Sequence, residues 1–372
     1  MRIGLNLLYL IPGAVGGTET YAAGLLHGLA QAGAAHEYVV FVNEESRAWP
    51  IPLTPNFVRV VCPVTAVVRG RRYLFEQVRL PRLLQRHAVD LVHSLGYVGP
   101  LRAPCPTIVT LPDLNYVALR RTMPASKRAV LGLFSALAAR RAEAVITISE
   151  FSKHAICKTL GIAPERVAVT LLGPRPHAVQ ASTEAVAVVR QRYGLTRPYL
   201  AAIGGGALHK NIPRLLAAFA IMKGAGPHLL ALIGHLPRDV ELTAAARQDV
   251  VATGYVPGDD LLALLSGADA FVLPSLYEGF GLPVLEAQQV GVPVVCSTAG
   301  SLPEVAGDGA VYFDPCSVAD MADKMAQVVR DPALRAELCQ KGHTNVQRFS
   351  WEQTARETLA VYARVDEARR PA

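Results

Sequence analysis

Short runs of successive apolar residues alternate with amphipathic stretches along the whole chain. A first series comprises RIGLNLL (2–8), YVVFVN (38–43), VRVVCP (58–63), DLVHSL (90–95), PTIVTL (106–111), AVITIS (144–149) and VAVTLL (167–172). A second comprises PYLAAIG (198–204), HLLALIG (228–234), VVATGY (250–255), AFVLP (270–274), PVVCS (293–297) and AVYFD (310–314). These runs are short and apolar on both faces, which predicts strands of parallel sheets covered on both sides. Helical periodicity lies between many of them, over 20–30, 124–141, 212–222, 259–265 and 317–330. The alternation predicts an α/β chain of two doubly wound domains. The turn-rich GPRPHAVQAS marks a break between residues 173 and 198, so the domains are expected at 1–178 and 195–350. Ligands of such sheets bind beyond the carboxyl ends of the strands, and a two-domain chain would hold them in a central cleft.

Composition supports two cores: the 372 residues are 51% hydrophobic and 18% charged, which excludes a disordered chain. The charge is unevenly placed. Residues 1–180 carry 20 Lys/Arg against 10 Asp/Glu, and the remainder 17 against 20. The basic half favours an anionic surface. Its cations concentrate in 69–86 (Arg69, Arg71, Arg72, Arg79, Arg82, Arg86) and 120–141 (Arg120, Arg121, Lys127, Arg128, Arg140, Arg141), with Leu, Val and Phe interleaved. That mixture suits the face of an anionic membrane, with solvated helix faces as the plainer reading. Nucleic acid is disfavoured, because no aromatic-interleaved binding motif accompanies the charge. Six scattered cysteines form no CxxC pair, which argues against zinc and redox motifs and for a reducing, cytoplasmic setting. The opening MRIGLNLLYLIP is better read as a strand than as a signal segment, and no run is long enough to span a membrane.

The segment PSLYEGFGLPVLEAQQVGVPV (274–294) carries the most chemistry. It sets Glu278 in a loop after a strand. Glu286 is expected in the first turn of a short helix over 283–290, with Pro283 at its first position. Backbone N–H groups at such a helix start suit a phosphate, and the carboxylates suit sugar hydroxyls. Lys210 follows the glycine turn Gly204-Gly205-Gly206 and offers a compact cation for a diphosphate. This is not a Walker A loop. Gly16-Gly17 precedes a helix and allows close approach of a phosphate or acceptor; an ordinary turn capped by Thr18 is the alternative. In VATGYVP (251–257), Tyr255 or Val256 could pack on a base. Asp113 follows PTIVTL and is either a catalytic candidate that reaches the cleft or a turn aspartate after Pro112. His87, His177 and His343 lack metal-ligand spacing and read as surface or structural residues. No Asp-x-Asp occurs, so no metal bridge to a diphosphate is expected.

With these pieces in order, the chain resembles the retaining glycosyltransferases of the GT-B fold, family 4, in its mannosyltransferase-like group. The likeness runs through HKNIPRLLAAF, GYVPGDDLLALLSGADAFVLPSLYEGFGLPVLEAQQVGVPVVCSTAGSLPEVAGDGAVYFDP, GGTETYAAGLL and VITISEFSKHAI. The tail RFSWEQTARETLAVY is similar to the family's last helix, so 351–372 is expected to return to the first, acceptor-binding domain. The resemblance implies that Glu278 contacts the donor sugar, assisted by backbone N–H groups of Phe280, Gly281 and Leu282. It implies that Glu286 binds ribose, that Lys210 binds the diphosphate, and that Gly16 and Gly17 lie close to the phosphates and the acceptor; Gly204 and Gly205, in the turn before Lys210, are read as donor-binding candidates. Two positions depart from the pattern: Pro112 stands where members often carry histidine, and Gly204-Gly205 where many carry an arginine.

The expected activity is metal-independent, retaining transfer of a hexose from a nucleotide diphosphate sugar, GDP-mannose first or a UDP-sugar. The acceptor would be a hydroxyl of a glycan, lipid-linked, at the inner face of the cytoplasmic membrane in cell-surface polysaccharide synthesis. No cofactor is expected. The alternatives are a non-catalytic glycosyltransferase-like subunit that binds a sugar nucleotide, suggested by Pro112, and a sugar-nucleotide epimerase.

Overall fold

A computed structural model of the chain describes residues 1–119, 124–176, 178–237, 240–244 and 246–369, with the backbone alone at Lys223. Arg120, Arg121 and His177 lie outside the described residues. The chain forms two compact units, Met1–Gly173 with Phe349–Ala372, and Pro174–Arg348.

The first unit holds a seven-stranded parallel sheet. Its strands are β1 (Arg2–Asn6), β2 (Glu37–Val42), β3 (Phe57–Val61), β4 (Leu91–Ser94), β5 (Thr107–Thr110), β6 (Ala144–Thr147) and β7 (Val167–Val169). Their order is β3-β2-β1-β4-β5-β6-β7. The second unit holds a six-stranded parallel sheet of β8 (Tyr199–Ile203), β9 (Leu229–Ile233), β10 (Val250–Ala252), β11 (Ala270–Leu273), β12 (Val294–Ser297) and β13 (Ala310–Phe313), in the order β10-β9-β8-β11-β12-β13. Every apolar run read from the sequence forms one of these strands. Central strands such as β4, β6, β9, β11 and β12 are buried at every position, as strands covered by helices on both faces must be. Winding reverses between β1 and β4 in the first sheet and between β8 and β11 in the second. The loops leaving those strands diverge to opposite faces and open a crevice at the carboxyl edge.

The last helix, Trp351–Glu367, belongs to the first unit. It packs against the helix Gly17–Ala32, and two glycines one turn apart permit the approach. A Cβ on Gly24 would fall 2.2 Å from the Trp351 ring, and one on Gly28 would fall 2.2 Å from the Trp351 carbonyl oxygen. Its polar anchor is the fully buried His93 of β4. The imidazole Nδ1 lies 2.6 Å from the Tyr362 hydroxyl and Nε2 lies 2.7 Å from the Thr110 hydroxyl. Both ring nitrogens are thus satisfied by neutral groups, one as donor and one as acceptor. No helix among the described residues is long and apolar enough to cross a membrane.

This anchor makes the first unit sensitive to acid. Burial pushes the His93 imidazole from 6.5 down to about 3. The unfolded chain therefore binds a proton below about pH 6.5 that the folded chain refuses, and stability falls with falling pH by up to about 1.4 kcal/mol per unit. Glu76 acts in the opposite sense. Burial pushes its carboxyl from 4.5 up to about 7 against the pull of Arg72, so acidification from 7 toward 4.5 relieves a cost in the folded state. In denaturant titrations between pH 7 and 5, His93→Gln should flatten the acid loss and Glu76→Gln should steepen it. Slopes equal to the parent's in both variants would contradict this account.

Candidate nucleotide-sugar site

The second unit places Lys210 and Glu278 on either side of its switch point. Lys210 ends the turn after β8, and Glu278 sits in the loop after β11. The ammonium Nζ is 2.8 Å from Glu278 Oε1. Both side chains are largely buried, 20% and 14% exposed, so the pair lies where water screens it little. Ser275 Oγ donates to the same carboxylate oxygen at 2.6 Å. An ammonium has three donors, so Lys210 retains capacity beyond this bond.

Local structure holds each partner in place. Asn211, the residue after the lysine, adopts left-handed backbone at φ 57°, a conformation that asparagine tolerates better than most residues. Its amide donates to the carbonyls of Pro274 and Pro315 at 3.0 and 2.8 Å. The Leu276 N–H donates to the His209 carbonyl at 2.7 Å. The lysine turn is thereby stitched to the loop that carries Glu278. Burial, and then the Lys210 charge, hold the His209 imidazole below its ordinary range. From the other side, Ser301 Oγ donates to the carbonyls of Glu278 and Phe280 at 3.1 and 2.8 Å. Gly300, at φ 65°, makes room for this: a Cβ there would lie 2.3 Å from the Glu278 carbonyl oxygen. Asn211, Gly300 and Ser301 escape a sequence reading because each acts on backbone brought near only by folding, and Ser275 because its contact is with the Glu278 side chain, whose orientation the loop decides.

The helix after this loop is Leu282–Gln289, entered through the left-handed Gly281 at φ 110°. It starts one residue earlier than the sequence suggests, because Gly281 supplies the turn and Pro283 fits its second position as well as its first. Glu286 consequently lies in the second turn, not the first. Its Oε1 is 3.1 Å from Arg175 Nε, and Gln289 Nε2 donates to the Arg175 carbonyl at 3.2 Å. Burial raises the Glu286 carboxyl above its usual range, and Arg175 opposes that rise. Arg175 was missed in the sequence, where it reads as part of a linker; its only signal there is a lone cation in GPRPHA. Phe280 is buried, Tyr255 is 82% exposed, and Val256 packs on the second unit's core. Gly205 takes φ 141°, and a Cβ on Gly204 would meet the His235 carbonyl at 3.0 Å, so β8 and β9 run close where the glycine turn begins.

In the first unit, Gly16 at φ 57° leads into the helix Gly17–Ala32. The loop is closed by Glu19, whose carboxylate accepts from the Gly13 N–H at 2.8 Å and from Trp49 Nε1 at 3.0 Å. Thr18 does not cap the helix: its hydroxyl turns back to the Val15 carbonyl at 3.0 Å. Asp113 accepts from the Tyr97 hydroxyl at 2.7 Å and the Asn115 N–H at 3.0 Å, an Asx-type closure of its own loop. The Pro112 carbonyl accepts from Thr147 Oγ1 at 3.4 Å. One expected surface cation is elsewhere: Arg72 is buried at 8% exposure, because its helix turns that face toward the sheet. Among the described residues no group of three or more His, Cys, Asp or Glu side chains gathers as a metal site.

Two Rossmann-like units with this loop chemistry define the class. Residues 15–173 match the family model described as Glycosyltransferase Family 4, and residues 189–345 that of Glycosyl transferases group 1. The chain belongs to the GT-B glycosyltransferases of the family 4 type. It is 34% identical over 230 residues to an O-antigen chain mannosyltransferase B of Escherichia coli, covering 59% of this chain and 60% of that protein. The match thus spans about three fifths of that relative's length. In fold it is similar to a sucrose-phosphate synthase from Thermosynechococcus elongatus, with a TM-score of 0.78 at 20% identity over 99% of this chain and 100% of the other. It is also similar to Anabaena HepE in complex with UDP-glucose, with a TM-score of 0.73 at 17% identity over 98% and 99% of the two chains.

The clamp on the lysine turn is testable through stability. Asn211→Ala strands two carbonyls and forces a left-handed alanine, which together should cost about 2–3 kcal/mol in chemical denaturation of the full chain. Asn211→Gly loses the bonds but not the backbone fit and should cost less. Equal losses would refute the role of the backbone conformation.

Proposed function

We propose that this chain transfers a hexose, mannose from GDP-mannose as first choice, from a nucleotide diphosphate sugar to a hydroxyl of a glycan. The observation that carries the reading is the Lys210–Glu278 pair at the switch point of the second sheet, with the helix Leu282–Gln289 and Glu286 directly after it. The mannosyltransferase relative supports the choice of sugar, and the UDP-glucose complex of a structural neighbour supports a nucleotide-sugar donor. In this proposal Lys210 neutralises the diphosphate, Glu278 accepts hydrogen bonds from sugar hydroxyls, and Glu286, steadied by Arg175, accepts from the ribose. Charged hydrogen bonds of this kind contribute about 1.5–3 kcal/mol each.

The anomeric carbon–oxygen bond to the diphosphate breaks while the acceptor oxygen bonds the same face, giving retention. The acceptor's proton passes to the departing phosphate oxygen. Lys210 and the helix N-terminus carry the leaving charge, and no metal is required; chelators should leave the rate unchanged.

The acceptor is proposed to be lipid-linked. Tyr73 and Phe134 contact at a ring-centroid separation of 4.9 Å and join the helices Arg69–Val78 and Ala125–Arg141. Between them these helices and the residues just before expose Val67, Val68, Leu74, Val130 and Leu133 beside Arg69, Arg71 and Lys127. Apolar side chains among cations are what an anionic bilayer surface binds.

Glu278→Ala should lower transfer at least a hundredfold and leave nucleoside diphosphate affinity within a few-fold of the parent. Glu286→Ala should weaken nucleotide binding about tenfold, in line with the loss of one charged hydrogen bond. A thermal-shift panel of nucleotide sugars identifies the donor; a chain that binds none of them, or binds but releases no nucleoside diphosphate on incubation, refutes the enzyme reading. Binding to vesicles containing phosphatidylglycerol should fall as salt rises from 0.05 to 0.5 M, as screening requires. Salt-insensitive partitioning would reject the basic surface.

A further inference from the structure

We infer that the first unit contains a built subsite for an anionic sugar: the acceptor presents a phosphate group to Arg72 and Arg69. This rests on the proposed transferase function and names the chemistry of the acceptor. A pocket of about 260 Å³ lies where β1 and β4 diverge, lined by residues of both following loops, among them Tyr9 and Tyr97. This is the switch-point crevice of the first sheet, the place where such folds bind ligands. Tyr9, Tyr73 and Tyr97 supply walls on which a sugar ring can lie, while Arg69 and Arg72 supply the charge. No carboxylate is among the described lining residues.

Three observations point to an anion. Arg72 is nine-tenths buried, lines the pocket, and its Nε has no hydrogen-bond acceptor within the protein. A buried guanidinium donor left in that state costs stability unless something engages it. Its neighbour Glu76 does not do so: NH1 stands 3.9 Å from Glu76 Oε1, beyond hydrogen-bond length. Glu76 instead accepts from Asn6 at 3.4 Å, and that asparagine also donates to Ser94 at 3.2 Å, tying the ends of β1 and β4. Finally, the helix Arg69–Val78 begins Arg-Gly-Arg-Arg, so three cations crowd the end of the helix that is already positive. That is the reverse of the stabilising arrangement, and an anion seated there reverses the penalty.

The test titrates mannose 1-phosphate, mannose and inorganic phosphate into the full chain by ligand-observed NMR, with nucleoside diphosphate present to fill the donor site. Mannose 1-phosphate should bind at least tenfold more tightly than either mannose or phosphate alone. Arg72→Gln should weaken it at least tenfold and the exposed Arg69→Gln a few-fold. Arg72→Gln/Glu76→Gln removes both buried charges together, so it leaves no lone carboxylate to unfold the unit, and should show the same loss. Lys210→Ala should leave the response intact, which separates this subsite from the diphosphate site. Equal affinity for mannose and mannose 1-phosphate, or an unchanged affinity in both Arg72 variants, would overturn the inference. A chain that binds no nucleoside diphosphate but still binds mannose 1-phosphate through Arg72 would sink the transferase reading and keep the subsite. A second arm adds a short-chain polyprenyl diphosphate sugar in micelles: displacement of mannose 1-phosphate assigns the anion to a lipid linker, and no displacement assigns it to a soluble sugar phosphate.

Discussion

A parallel strand buried on both faces can carry chemistry only at its ends, and the placing of the candidate sites in this protein follows from that constraint. Strands such as β4, β9 and β11 have no position along their length where a polar side chain could meet a ligand. Polar groups are pushed to the carboxyl edge, and the reversal of winding spreads two loops apart there. In the second sheet the reversal lies between the loop of Lys210 and that of Glu278; in the first it lies between the loop of Tyr9 and that of Tyr97.

The charges brought to these edges are costly to bury, and the protein meets that cost in different ways. Lys210 and Glu278 satisfy one another directly, with Ser275 adding a third bond. Glu286 is held by an arginine from the start of the second unit. Arg72 and Glu76 are held apart, each with one buried atom lacking a partner. The same fold thus offers one edge where opposite charges meet in a hydrogen bond and another where they stand 3.9 Å apart.

The strands were legible because a doubly covered sheet writes itself as uninterrupted apolar runs, and all the runs folded as read. The helix after Glu278 was legible in outline from Pro283, but its start moved by one residue because the left-handed Gly281 supplies the turn and Pro283 takes the second helical position. Thr18 looked like a cap and instead bonds Val15. Arg72 looked like a surface cation in a basic stretch, and only the packing of its helix shows that this position faces inward. Arg175 carried no local pattern at all; its importance comes from Glu286, more than a hundred residues away.

By itself the sequence determined the class of fold, the family, and the residue types at the ends of β8 and β11, because periodicity and local turn chemistry are encoded in neighbours along the chain. Tertiary structure alone decided which charges meet. The pairing of Lys210 with Glu278, the clamp of Asn211 on Pro274 and Pro315, and the anchoring of the last helix through His93 and Tyr362 all join residues far apart in the chain. A side chain's partner depends on distances between elements, and those exist only once the sheets have closed and their crevices have opened.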